Sequence, residues 1–197
     1  MTRTAGESVG ALLAEIAGCT RCAADLPLGP RPVLRASATA RILVAGQAPG
    51  IRVHETGIPF NDPSGDRLRD WMGVDRETFY DAGRIAIVPM GFCYPGSAER
   101  GDLPPRPECA WQWHPRLLPL LERIELVLAI GAHAHRYHLH GRRKESLTET
   151  VRCWREYLPG VIPLPHPSPR NNGWLKQNPW FDRELVPEVA RRVAALL

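Results

Sequence analysis

Lysine is nearly missing from this chain. Lys144 and Lys176 are the only two in 197 residues, so arginine carries almost all the positive charge behind a formal net charge of +4. No run of 18 or more apolar residues occurs, which excludes a membrane-spanning helix. The opening Met1-Thr2-Arg3-Thr4-Ala5-Gly6-Glu7 lacks the apolar core of a secretory signal, so an intracellular, cytoplasmic location is expected. Repeats, low-complexity tracts and linkers are also missing, and a single domain over residues 1–197 is expected, acting as a monomer. What is present is ordinary globular usage, 44% hydrophobic and 23% charged, which argues against a disordered protein. Twenty prolines gather in segments such as Leu103-Pro104-Pro105-Arg106-Pro107 and predict long ordered loops. The mild basic excess suits a polyanionic partner, because each phosphate neutralised by a cation releases counterions.

Four short runs, Arg41–Ala45, Ile85–Val88, Leu126–Ile130 and Val161–Leu164, are almost continuously apolar, as parallel strands buried on both faces should be. Helical spacing lies between them. Leu12, Leu13 and Ile16 form one stripe. Leu117, Leu118, Leu120 and Leu121 are predicted on one helix. Another is predicted from Leu147 to about Tyr157, with Ser146 and Glu149 placed as a capping box. Leu185, Val186, Val189, Val193 and Leu196 close the chain on a last helix. The alternation predicts an α/β fold, a three-layer α/β/α sandwich around a short central four-stranded parallel sheet. In such sheets ligands bind beyond the carboxyl ends of the strands, so the segments that follow each strand are where chemistry is sought.

Gly46-Gln47-Ala48-Pro49-Gly50 follows the first strand and reads as a tight turn whose backbone N–H groups can approach a ligand, or as a plain connection. Phe60 stands between Pro59 and a polar run, where its ring either stacks on a planar base or closes the loop over the core. His166 is flanked by Pro165 and Pro167, which lower the entropy cost of holding a catalytic group. Ser168 can bind phosphate, and Arg170 is long enough to enter a duplex where a base has left.

These motifs, in this order at strand ends, resemble those of the uracil-DNA glycosylase superfamily. The Gly46–Gly50 turn is similar to its first motif and His166-Pro167-Ser168-Pro169 to its second. Thr56-Gly57-Ile58-Pro59-Phe60 with Arg69-Asp70-Trp71, and His166 through Asn171, resemble the single-strand-selective monofunctional branch. The resemblance implies hydrolysis of the N-glycosidic bond of uracil in DNA, single- or double-stranded, as part of base-excision repair, and an association with the nucleoid. It puts His166 near the O2 of a flipped uracil, Phe60 against its ring, and Gly46, Gln47, Ala48 and Pro49 around the base. Ser168 and Asn171 would contact the DNA, and Arg170 would fill the gap.

Cys19-Thr20-Arg21-Cys22 is a C-x2-C pair, and Cys93 and Cys109 are a C-x15-C pair expected in a proline-rich loop. Four thiolates can hold a [4Fe-4S] cluster, whose ligands need not be close in sequence. Zinc is the competing metal, although the second pair lacks knuckle spacing; unrelated free thiols are the plain alternative. The arrangement resembles the iron–sulfur families 4 and 5 of the superfamily, which implies a structural cluster on Cys19, Cys22, Cys93 and Cys109. Cys153 is expected in the core.

The pattern departs from the superfamily in two places. The first motif carries Gln47-Ala48 where relatives have an acid or an asparagine, and an amide can orient a water but cannot accept its proton. Asp62 is the favoured loop carboxylate for that task, with a helix N-cap as its plain alternative. Val88-Pro89-Met90-Gly91 stands where relatives read uracil with an asparagine. Selectivity then falls to backbone groups or Asn61, and hypoxanthine or xanthine become alternative substrates. A lesion-binding protein without catalysis is a further alternative. His133, His135, His138 and His140 do not converge on one point of a helix and are expected on a solvated or DNA-facing surface.

Overall fold

The computed structural model describes residues 8–99 and 101–197. The chain enters through α1 (Val9–Ala17), whose N-cap Ser8 accepts the amide of Ala11, and reaches β1 (Ile42–Ala45). Helices α2 (Ile51–Thr56), α3 (Pro63–Met72) and α4 (Arg76–Tyr80) lead to β2 (Ile85–Ile87). A small antiparallel hairpin, β3 (Ser97–Ala98) with β4 (Gly101–Asp102), precedes α5 (Pro107–Leu117). Then come β5 (Leu126–Ile130), α6 (Gly131–His138), α7 (Leu147–Arg152), β6 (Val161–Leu164), α8 (Asn172–Gln177) and α9 (Val186–Ala194).

The sheet runs β2-β1-β5-β6 and every pair is parallel, with Ile42 beside both Ile85 and Leu126, and Val127 beside Val161. The strand residues alternate between two buried faces. Ile42, Val44, Leu128 and Ile162 point to one core with Leu68, Trp71, Val151 and Val189, so α3, α7 and α9 cover that side. Leu43 and Ala86 point to the other with Leu12, Ile16, Trp113 and Leu117, and Ala129 packs there beside Ala134. Helices α1, α5 and α6 cover that side. This is the expected three-layer sandwich. Each fully buried Leu or Ile contributes about 1.5–3 kcal/mol, which is why the strands read as unbroken apolar runs.

Three helix expectations need correction. Leu117 to Leu121 do not share a helix: α5 ends at Leu117 and Leu118–Leu120 turn as a 3-10 segment, because Pro119 has no N–H to continue the ladder. The helix from Leu147 stops at Arg152 and Trp154–Tyr157 follow as a 3-10 turn, although the Ser146–Glu149 capping box forms as expected. His133, His135 and His138 on α6, with His140 just past its end, are not a solvated surface. His135 and His138 are buried and only His140 is exposed. His135 Nε2 lies 3.0 Å from the carbonyls of both Ala129 and Leu164, strapping β5 to β6.

Candidate active site

Strand order reverses around β1: the chain goes from β1 to one neighbour, β2, and later returns to the other, β5. The carboxyl ends beside such a reversal leave a crevice. Loops after β1, β2 and β6 line a single cleft there. The turn after β1 is pinned by backbone bonds, with Met90 and Gly91 donating their N–H groups to the carbonyls of Gly46 and Gln47, both at 2.9 Å. Gly46, Gln47, Ala48 and Pro49 all face the cleft. Gln47 is less free than expected, since its Nε2 donates to the Leu103 carbonyl at 3.2 Å.

Phe60 sits where a base could stack. Its ring lies over the turn, so that a Cβ on Gly46 would stand 3.3 Å from its Cζ, and its other side meets Phe79 edge-on at 6.1 Å. The backbone of Phe60 is left-handed, with φ of 53°, a conformation that a bulky residue adopts only when its surroundings impose it. Those surroundings are the first turn of α3. Asp62 caps it by accepting the Gly65 amide at 2.9 Å, and Gly65 passes so close that a Cβ there would stand 1.7 Å from the Phe60 carbonyl oxygen. Asp62 thus performs the capping role and also lines the cleft, where its charge favours a proton on His166. Asn61 is not brought in. It does not line the cleft, and its Oδ1 accepts from Arg76 at 2.8 Å.

His166 is held from several directions. The Ser168 amide donates to its Nδ1 at 3.2 Å, so the proton of the neutral ring belongs on Nε2. Burial lowers its proton affinity below the ordinary histidine value, against the opposing charges of Asp62 and Asp102, so the ring is neutral at pH 7. Asn171, expected to touch substrate, donates its amide to the His166 carbonyl at 2.7 Å. From α3, Arg67 Nη1 donates to the carbonyls of Pro167 and Ser168 at 3.2 Å each, and Nη2 donates to Asn172 at 2.8 Å. Ser168 and Arg170 line the cleft.

Sequence reading missed Asp102, which β4 brings to the same cleft. Its signal was an acid in the segment following the second strand, hidden by the surrounding prolines. Arg67 was missed too, because its partners lie about a hundred residues away.

The four cysteines line one separate cavity, between the end of α1, the loop after β2, and α5. Cys109 stands on α5 and not in a loop, and its Sγ accepts the Phe92 amide at 3.3 Å. Burial, with smaller contributions from neighbouring cysteines, pushes Cys93 up to about 11 and Cys109 up to about 12, so both are neutral thiols here. Among the described residues no group of three or more His, Cys, Asp or Glu side chains could hold a metal ion as placed. A zinc ion needs four sulfurs about 2.3 Å from one point. Cys153 caps α7 and is half-buried.

Comparison with protein-family models matches residues 35–190 to the uracil DNA glycosylase superfamily. The match spans most of the chain, and the protein belongs to that superfamily. With membership comes its general chemistry: a DNA glycosylase, a hydrolase of base-excision repair that acts on DNA. Among the described residues, no helix is long and apolar enough to cross a membrane.

Proposed function

We propose that this member of the superfamily is a monofunctional glycosylase that hydrolyses the N-glycosidic bond of uracil in DNA, acting as a monomer. The observation that carries the reading is His166, a half-buried neutral imidazole in the cleft whose only donor is Nε2. Breaking an N-glycosidic bond leaves negative charge on the departing base and positive charge on the sugar, and a fixed donor aimed at the base acts where charge develops. Phe60 stacks on the flipped ring, and the backbone of Gly46 to Pro49 holds its edge. Ser168 binds a flanking phosphate and Arg170 occupies the vacated stack. Asp62 holds the attacking water through the oxygen that the helix cap leaves over, and its charge opposes the sugar cation.

A second reading, excision of hypoxanthine or xanthine, is favoured by one observation: Asn61 is turned to Arg76, so no Asn61 amide reads a pyrimidine edge. One assay tests both. Oligonucleotides carrying uracil, hypoxanthine or xanthine, single- and double-stranded, are incubated with the protein and then with alkali. Cleavage at uracil is expected in the wild type and is lost in His166→Ala. Binding without cleavage at any base would refute the enzymatic reading.

We also propose that Cys19, Cys22, Cys93 and Cys109 hold a [4Fe-4S] cluster with a structural role. The donor set fits by chemistry, four thiols around one cavity with Arg21 and Arg106 in its wall to offset a cluster's negative charge. When bound, the cluster cross-links α1 to α5 and to the loop after β2. A brown protein with broad visible absorption is expected from oxygen-free preparation. Stoichiometric zinc in a colourless preparation would overturn the assignment.

A further inference from the structure

The turn after β1 contains no carboxylate, yet a carboxylate lies against it. Asp102 arrives on β4, more than fifty residues downstream, and its Oδ2 is 3.4 Å from where a Cβ of Gly50 would stand. Gly50 closes the Gly46–Gly50 turn, so this oxygen occupies space that its lack of a side chain leaves free. Asp102 is exposed at the cleft.

The carboxylate is held rather than loose. A carboxylate only accepts, so Ser97 Oγ donates to Asp102 Oδ1 at 3.1 Å, and the buried Tyr94 hydroxyl donates to Ser97 at 2.7 Å. That chain fixes one oxygen and leaves Oδ2 toward the cleft. The hairpin itself is tied at two more points. Gln47 Nε2 holds the Leu103 carbonyl, and the Arg170 guanidinium lies over Gly101 so closely that a Cβ there would meet Nη1 at 2.5 Å. Both residues that meet this hairpin, Gln47 and Arg170, come from the loops that carry the proposed chemistry. Its charge also reaches His166, where it opposes the loss of proton affinity caused by burial.

We propose that Asp102 is a catalytic carboxylate of this glycosylase, the group that accepts the proton of the attacking water. The inference rests on the glycosylase reading above. In the step, the bond from the anomeric carbon to the base nitrogen breaks and its electron pair leaves with the base, held by the His166 Nε2–H. The water oxygen bonds to the anomeric carbon, and one water proton passes to Asp102 Oδ2. The departed base later takes a proton from solvent. Gln47 cannot take this proton, because an amide is not a base at neutral pH, and Asp62 holds the water through its remaining oxygen while Asp102 accepts the proton.

The test is single-turnover excision from a uracil oligonucleotide by the full chain, with affinity for an abasic-site oligonucleotide measured in parallel. Asp102→Asn keeps the acceptor for Ser97 and removes the base; a loss of about 10²-fold or more in rate is expected, with abasic-site affinity unchanged. Asp70→Asn, which removes an exposed carboxylate of α3 outside the cleft, controls for lost charge and should leave the rate within about threefold. Ser97→Ala, which loosens Oδ1, should cost several-fold in rate without changing the melting temperature. Asp102→Asn within threefold of wild type, while His166→Ala is inactive, would overturn the inference and leave the glycosylase reading standing. A wild type that excises none of the bases would overturn both.

Discussion

Gly65 offers a decisive perturbation because local and tertiary effects predict opposite signs. It is the third residue of α3, where replacing glycine by alanine ordinarily stabilises a helix by about 1 kcal/mol. The tertiary contact forbids this. An alanine Cβ would stand 1.7 Å from the Phe60 carbonyl oxygen, 2.7 Å from its carbonyl carbon and 2.9 Å from its Cβ. All three atoms belong to one residue or its backbone, so no side chain can swing aside; the whole Phe60 corner must retreat. Overpacking of this kind costs about 1–3 kcal/mol, and disturbing the Asp62 cap about 0.5–2 more. Setting the helix gain against these leaves Gly65→Ala destabilised by about 2 kcal/mol, or about 4–8 °C in melting temperature for a chain of this size. Displacing the stacking ring by about 1 Å should also cost on the order of 10²-fold in excision rate. Thermal unfolding by circular dichroism and single-turnover kinetics read the two effects. A Gly65→Ala protein that melts higher than wild type and excises normally would refute the packing argument.

Asp62→Asn should keep full stability, since asparagine caps as well as aspartate, whereas Asp62→Ala should lose about 1 kcal/mol by denaturant titration; both should be slow in excision. Burial lowers His114 to about 4 and His138 to about 3, so both are neutral in the fold and take up protons on unfolding. Stability is complete above pH 6.5 and falls as pH drops below it, His114 accounting for up to about 3 kcal/mol by pH 4. His138 Nε2 is buried with no hydrogen-bond partner among the described residues, so His138→Leu should move the acid-unfolding midpoint to lower pH; an unmoved midpoint would exclude His138 from the transition. Arg67→Lys keeps the charge but not the fork, and should lower the excision rate about 10-fold or more while the melting temperature changes little.

The strands were the most legible part of this fold. Leu126–Ile130 and Val161–Leu164 were read to their ends because both faces of a parallel strand are buried, so apolar character starts and stops with the strand. Helix ends near Pro119 were less legible, since the run of leucines continues past the proline that breaks the ladder. On α6 the pattern was present but read wrongly: Ala134, His135 and His138 share one helical face, and that face is buried. The His166 loop could be read from its prolines. The approach of Asp102 could not, because it depends on Arg170 lying over Gly101 and Gln47 reaching Leu103, contacts between segments far apart in the chain.

The bond from the Ser168 amide to His166 restricts this loop in a way that its composition conceals. The segment from Pro165 to Pro169 alternates proline with something else, and a further proline would appear to stiffen it more. Position 168 is where that substitution fails. Proline there brings no N–H, so the imidazole would lose the contact that assigns its proton to Nε2 and could carry it on either nitrogen. Exchanging the Ser168 side chain loses the hydroxyl's own contacts but leaves this main-chain donation in place. For the imidazole proton alone, position 168 excludes a single residue, a constraint imposed by a hydrogen atom that every other amino acid supplies.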